Sequence, residues 1–244
     1  ESGILPYEVV WKPTLITNEV IRRTFNEANT DENCAGVITW CHTFSPAKSW
    51  ILGLKELRKE ICNYLERKIH VKYDAVHETL VTVGGSEAID VGLRCMLDPG
   101  DEVLIPQPSY VSYLPCTVMA EELEKYTTPK TKVLVLPFPN NPTGAIMTRE
   151  DLEPIAKFVE EHDLYVMSDE IYSELTYKEE HVSIASLPGM RERTLVINGF
   201  SKGFAMTGWR LGYCCGPEVI ISQMTKLHQF AIMCAPTNSQ YAAV

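Results

Sequence analysis

The chain has 244 residues, 45% of them hydrophobic and 22% charged, with a formal net charge of −10. That length suits one large α/β domain, or one domain with part of another, and the acidic balance excludes a general affinity for nucleic acid or anionic membrane. The eight cysteines (34, 41, 62, 95, 116, 214, 215 and 234) form no CxxC pair and no zinc-like grouping with the six histidines. Such a pattern fits a reducing cytoplasm, where thiols act as small buried apolar groups. No apolar run approaches membrane-spanning length, and the acidic start is unlike a signal peptide.

Before residue 52 the pattern is weak: residues 15–28 look helical and 29–49 have no clear period. From 52 to 69, Leu54, Leu57, Ile61, Leu65 and Ile69 mark one face of a helix. Residues 80–83 read as a short β-branched strand ending at Gly84 and Gly85. Ser86 then opens a second helix over 87–97, closed by Pro99 and Gly100. Residues 103–106 and 133–136 read as buried strands. Thr148 with Asp151 predicts a capping box for a helix reaching about His162. Further strands are expected at 164–167, 194–197 and 211–214. Strands alternating with helices imply βαβ units and a mostly parallel sheet, whose functional groups collect at the carboxyl ends of the strands.

Several groups follow strand-like runs. Gly84, Gly85 and Ser86 lie between strand and helix, either as a tight turn or as a place where backbone N–H groups meet a phosphate. Asn141, in PNNPTG, is a turn residue or a fixed amide donor aimed at a ligand oxygen. Asp169, in SDEIY, is a helix cap or the partner of a protonated ring nitrogen, with Tyr172 directed into the same pocket. Lys202 and Arg210 lie in INGFSKGFAMTGWRLGY, a stretch otherwise composed for burial. A lysine buried there is expected to have a depressed amine pKa or to be covalently converted. The six histidines read as surface or core residues, and no G-x-S-x-G, P-loop or G-x-G-x-x-G is found.

In order, GGSEAID, PGDEVLIPQPSYVSY, FPNNPTG, SDEIY and SKGFAMTGWRLGY resemble the pyridoxal-phosphate aminotransferases of class I/II, fold type I. The resemblance covers about residues 51–244 and leaves residues 1–50 as a poorly matched N-terminal segment. It implies the large domain of that fold, an α/β unit with a mostly parallel, seven-stranded-type sheet flanked by helices. It implies pyridoxal 5'-phosphate as cofactor and Lys202 as the Schiff-base lysine that also moves the substrate Cα proton. Asp169 would pair with the pyridinium nitrogen, Asn141 and Tyr172 would donate to the ring's phenolic oxygen, and Tyr110 would stack on the ring. Gly84, Gly85, Ser86, Ser201 and Arg210 would form the phosphate cup. No metal is implied. The implied reaction exchanges an amino group between an L-amino acid and a 2-oxo acid within a cytoplasmic homodimer. MTGWR and AIMCAPT resemble the subgroup that uses aspartate, alanine, aromatic and related donors.

The chain also departs from the family pattern. The glycine- and proline-containing N-terminal segment is not found, and WCHTFSPAKSWIL lacks the tyrosine that reaches the partner's phosphate. Residues 119–132 look shortened by a β-hairpin-sized piece. The resemblance implies a C-terminal small domain, absent from this chain, that would supply the arginine for the substrate's α-carboxylate. These gaps fit a fragment of a longer enzyme or a short, non-catalytic homologue. A β-eliminating lyase of the same fold is a further reading, because the same electron sink serves both reactions.

Overall fold

A computed structural model describes residues 51–106, 123–141, 143–177 and 179–244, with residues 19, 23, 24, 26 and 27. Six strands occur among them: β1 (Thr79–Thr82), β2 (Glu102–Leu104), β3 (Thr131–Leu136), β4 (Tyr165–Asp169), β5 (Thr194–Gly199) and β6 (Gly212–Cys215). With them run the helices α1 (Ile51–Ile69), α2 (Gly85–Met96), α3 (Arg149–Glu161), α4 (Glu218–Ala231) and α5 (Thr237–Ala242). The strands make one mixed sheet in the order β1-β6-β5-β4-β3-β2. The run β2-β3-β4-β5 is parallel, as the alternation of elements implies, whereas β6 lies antiparallel between β5 and β1.

Helices cover both faces, and the strand residues alternate between them. Leu134 and Leu136 of β3 and Val166 of β4 pack under Leu152, Ile155 and Val159 of α3. Val196 of β5 and Tyr213 of β6 pack under Leu57, Ile61 and Leu65 of α1. On the opposite face, Val133, Met167, Leu195, Ile197 and Cys214 meet Ala88 and Val91 of α2 and Ile220, Ile221 and Met224 of α4. Burial on two faces explains why these strands read as continuous apolar runs rather than alternating ones. Gly92 of α2 permits close helix–sheet approach, since a β-carbon there would come within 2.9 Å of Leu195 and Met167 side-chain atoms.

Local signals account for the helix ends. The apolar face of α1 is buried at Leu57, Ile61, Leu65 and Ile69, and the helix stops where His70 turns to a φ of 57°. The capping box of α3 is formed: Asp151 N–H donates to Thr148 Oγ1 at 3.3 Å, and Thr148 N–H donates to Asp151 Oδ2 at 2.9 Å. Cys62, Cys214 and Cys215 are buried, as expected of thiols used for packing, but Cys234 is exposed. Its position past the end of α4 takes it off the face that α4 presents to the sheet.

Candidate active site

Four loops converge at the carboxyl ends of the parallel strands. The first follows β1. Gly84 has a φ of 80°, which glycine adopts without penalty, and Gly85 begins α2. Thr82 Oγ1 donates to the Gly84 carbonyl at 3.0 Å, and Val83 N–H donates to Glu87 Oε2 at 2.5 Å, so the turn is tied on both sides. The N-terminal turn of α2 therefore presents its positive dipole end beside Ser86, which is exposed.

Asp169 ends β4, and Ile171 N–H donates to its Oδ1 at 3.2 Å. Burial pushes its carboxyl above the usual carboxylate range, the Ile171 N–H opposes that rise, and the neighbouring Glu170 adds to it. Tyr172 follows in the next turn, where its hydroxyl accepts from Asn141 Nδ2 at 3.1 Å. Asn141 arrives from the loop after β3, so the two donors expected to act together are in contact.

The stretch after β5 carries Ser201, Lys202 and Thr207. Lys202 Nζ lies 5.8 Å from the centre of the Tyr172 ring. Thr207 Oγ1 donates to the Ser201 carbonyl at 2.7 Å, and Arg210 Nη1 donates to the Thr207 carbonyl at 3.2 Å. The expectation that this segment is buried is corrected: residues 202–205 and 207–210 are exposed, and burial continues past β5 only to Ser201. The chain leaves the sheet at Gly199 and arches over its edge before re-entering as β6, so its cations face an open cleft rather than the core.

That cleft, of about 210 Å³, is lined by Gly84, Gly85, Ser86, Asp169, Ser201, Lys202 and Arg210, which brings seven of the expected residues together. Asn141 and Tyr172 flank it, through the hydrogen bond between them and the approach of Lys202 to the Tyr172 ring. Tyr110 lies outside the described residues. Ile89, Ile171 and Thr207 also line the cleft and were not foreseen. The usable signal for Ile171 and Thr207 was their position inside SDEIY and MTGWR, and for Ile89 its place one turn into the helix after Gly85. A larger open hollow of about 320 Å³, between Thr128, Lys132 and His162, holds none of these groups.

Two glycines missed in the sequence hold the cleft together. A β-carbon on Gly212 would stand 2.5 Å from the Gly84 carbonyl carbon and 2.7 Å from the Gly85 nitrogen. One on Gly199 would come within 3.0 Å of the Gly212 Cα. The β1–α2 turn thus crosses directly over the start of β6, which places Arg210 against it; a β-carbon on Gly84 would stand 2.8 Å from Arg210 Nη2.

The sequence pattern described as Aminotransferase class I and II matches residues 49–244. The chain belongs to this family. It is 46% identical over 211 residues to a protein named putative aminotransferase YugH of Bacillus subtilis, covering 79% of this chain and 55% of that protein. It is 44% identical over 212 residues to an aspartate aminotransferase of Pyrococcus abyssi, covering 79% and 54%. The solved structure of an aromatic aminotransferase from Pyrococcus horikoshii OT3 superposes with a TM-score of 0.74 at 39% identity, covering 96% of this chain and 65% of that one. The chain spans about half the length of the curated relatives it matches.

A second pattern, described as the L-arabinose isomerase N-terminal domain, matches residues 1–77. It ends before β1, and residues 1–48 fall within it and outside the aminotransferase match. In the overlap, α1 packs on β5 and β6 as part of the sheet unit.

Members of the class I and II family use pyridoxal phosphate. The cleft fits that group chemically. At Gly84, where a β-carbon would stand 2.8 Å from Arg210 Nη2, the bare backbone lets the guanidinium lie against the turn and the start of α2, so an anion in the cleft can meet both. A half-buried carboxyl with a raised pKa, accepting among the described residues one backbone hydrogen bond, gains most from a cationic partner such as a protonated ring nitrogen.

Proposed function

We propose that this chain is the cofactor-binding part of an aminotransferase that moves an amino group between an L-amino acid and a 2-oxo acid. The observation that carries this reading is the meeting of Lys202, Asp169 and Arg210 with the Gly84 turn in one cleft. Each is suited to a different part of one molecule: an amine to an aldehyde, a carboxylate to a ring N–H, and a guanidinium to a phosphate.

When bound, pyridoxal phosphate would supply an aldehyde and an electron-withdrawing ring that stabilises negative charge on the substrate's α-carbon. Arg210, the N–H groups of Gly85 and Ser86, and the hydroxyls of Ser86 and Ser201 would hold the phosphate. Asp169 would keep the proton on the ring nitrogen. Asn141 donates to Tyr172, which leaves the Tyr172 hydroxyl proton free to donate to the ring oxygen. Lys202 would hold the aldehyde carbon covalently and, once displaced by substrate, carry the proton to and from the α-carbon. Ile89 and Ile171 would exclude water around the ring.

In this reading residues 51–244 form the cofactor-binding unit, and residues 1–50 are a separate segment. The likeness to relatives named for aspartate and aromatic amino acids supports a donor from that group. A homodimer is supported by exposed apolar residues past the middle of α4: Phe230 is 88% exposed and Met233 65%. A cytoplasmic location is part of this reading; no described helix is long and apolar enough to cross a membrane.

The test is loading the chain with pyridoxal phosphate, reducing with borohydride and mapping the modified peptide. Modification on Lys202 supports the assignment, and modification elsewhere or none overturns it. An amino-donor panel with and without a 2-oxo acid then separates transfer from elimination. Ammonia released without an acceptor would favour a lyase.

A further inference from the structure

Behind Asp169 lies a second carboxylate that the proposed reaction does not use. Glu170 is 1% exposed. Its Oε1 accepts from Ser168 Oγ at 2.9 Å and Ser183 Oγ at 2.6 Å, and its Oε2 lies 2.8 Å from His181 Nε2. Its own N–H donates to the Ile197 carbonyl of β5 at 2.8 Å, which fixes the backbone between Asp169 and Ile171. His181 is almost enclosed, with its side chain 13% exposed.

A buried carboxylate raises the proton affinity of a carboxylate beside it, and one buried without a cation is strongly disfavoured. Glu170 contributes in this way to the rise at Asp169. At His181 burial favours the neutral ring, but the charge and hydrogen bond of Glu170, with the charge of Glu174, override it and hold the imidazole above its usual pKa. Glu174, in the turn Ser173–Leu175, is itself bound by Tyr64 and Lys68 of α1, so negative charge faces His181 from two sides.

We propose that Glu170 and His181 form a positioning pair for Asp169: the His181 imidazolium balances Glu170, so that Asp169 remains ionised for the cofactor's ring nitrogen. The pair rests on the reading of Asp169 given above. It touches neither cofactor nor substrate, and acts through the field at Asp169 and through the backbone that Glu170 anchors. Asp169 is faced by Glu170 and, in the cleft, by Lys202 and Arg210, and His181 is faced by Glu170 and Glu174.

The test uses the full chain as His181→Gln, Glu170→Gln and the double variant. Glutamine at 181 keeps an N–H donor but removes the charge. Two quantities are read: the titration of the Asp169 carboxyl by carbon NMR without cofactor, and the dissociation constant for pyridoxal phosphate. His181→Gln is expected to move the Asp169 titration upward and to weaken cofactor binding about tenfold, as a one-unit shift implies. Glu170→Gln is expected to move the titration downward, and the double variant to return both quantities close to wild type. If Asp169 titrates unchanged in Glu170→Gln, or the double variant binds cofactor no better than His181→Gln, the pair is only a structural tie and the proposal falls. Should His181→Gln fail to fold, the downward shift in Glu170→Gln alone decides it. If wild type binds no pyridoxal phosphate, the functional reading fails while the NMR measurement still judges the pair.

Discussion

Gly212 lies so close beneath Gly84 that a methyl group on Gly212 would stand 2.5 Å from the Gly84 carbonyl carbon. Both obstructing atoms are backbone, in a turn already tied by Thr82 and Glu87, so neither can rotate away. Gly212→Ala must displace either the β1–α2 turn or β6. We expect destabilisation of about 1–3 kcal/mol, the usual range for overpacking, measured by urea denaturation. Phosphate and cofactor affinity should fall in the same variant, because the displaced turn carries Gly85 and Ser86. An unchanged affinity would separate that turn from the binding site.

Lys202 is exposed and contributes little packing, so Lys202→Ala should leave stability within about 0.5 kcal/mol of wild type. The same variant should lose all borohydride-trapped cofactor. Mass spectrometry of the reduced protein and a thermal melt check the two halves independently.

Asp169 has a folded-state pKa above its unfolded value because of burial. It therefore favours folding fully only below the unfolded pKa near 3.8, and that contribution is lost as pH rises through the folded pKa. Asp169→Asn should make the cofactor-free chain more heat-stable at neutral pH and flatten the fall in stability above pH 4. Cofactor binding should weaken in the same variant. A melt series from pH 4 to 7, with and without pyridoxal phosphate, would expose the opposite signs.

Tyr64 donates to Glu174 Oε1 at 2.5 Å, linking α1 to the turn that follows Tyr172. The bond is to a carboxylate, so Tyr64→Phe should cost about 1.5–3 kcal/mol. Burial raises the Glu174 pKa, but the hydrogen bonds from Tyr64 and Lys68 and the Lys68 charge bring it below the usual value. The stabilisation they provide is present above the unfolded pKa of 4.5 and lost as pH falls through the folded pKa. The difference between wild type and Tyr64→Phe should thus shrink in acid, as denaturation at pH 3 and pH 7 would measure.

Phe230, in the last turn of α4, and Met233, just past its end, are largely exposed apolar residues. Replacing both with glutamate should shift the chain from dimer to monomer in sedimentation, with the monomer's melting temperature changed little. A wild-type monomer would remove the basis for the proposed dimer.

Helices α1 and α3 were legible because their signals are local: an apolar face at helical spacing, and the Thr148–Asp151 box. Strands β3, β4 and β5 were legible because burial on two faces demands apolar side chains in succession. Their ends came out one to two residues off at several places, since a strand's length depends on its neighbours' register. The Glu170–His181 pair could not be read, because it joins residues eleven apart through a loop of no fixed period.

By itself the sequence determined which groups follow which strand, and therefore that Gly84, Asn141, Asp169 and Lys202 belong to one edge of a parallel sheet. Tertiary structure alone decided how Arg210 joins them. β6 runs antiparallel to β5, so its first residue, not its last, lies at that edge, and glycines at 84, 199 and 212 let three backbones meet there. It also decided that Lys202 and Arg210 face an open cleft. Composition records how apolar a segment is, whereas exposure depends on how fully another element covers it: Tyr64 meets Phe204 and Ser239 donates to the Trp209 carbonyl, yet residues 202–205 and 207–210 stay exposed.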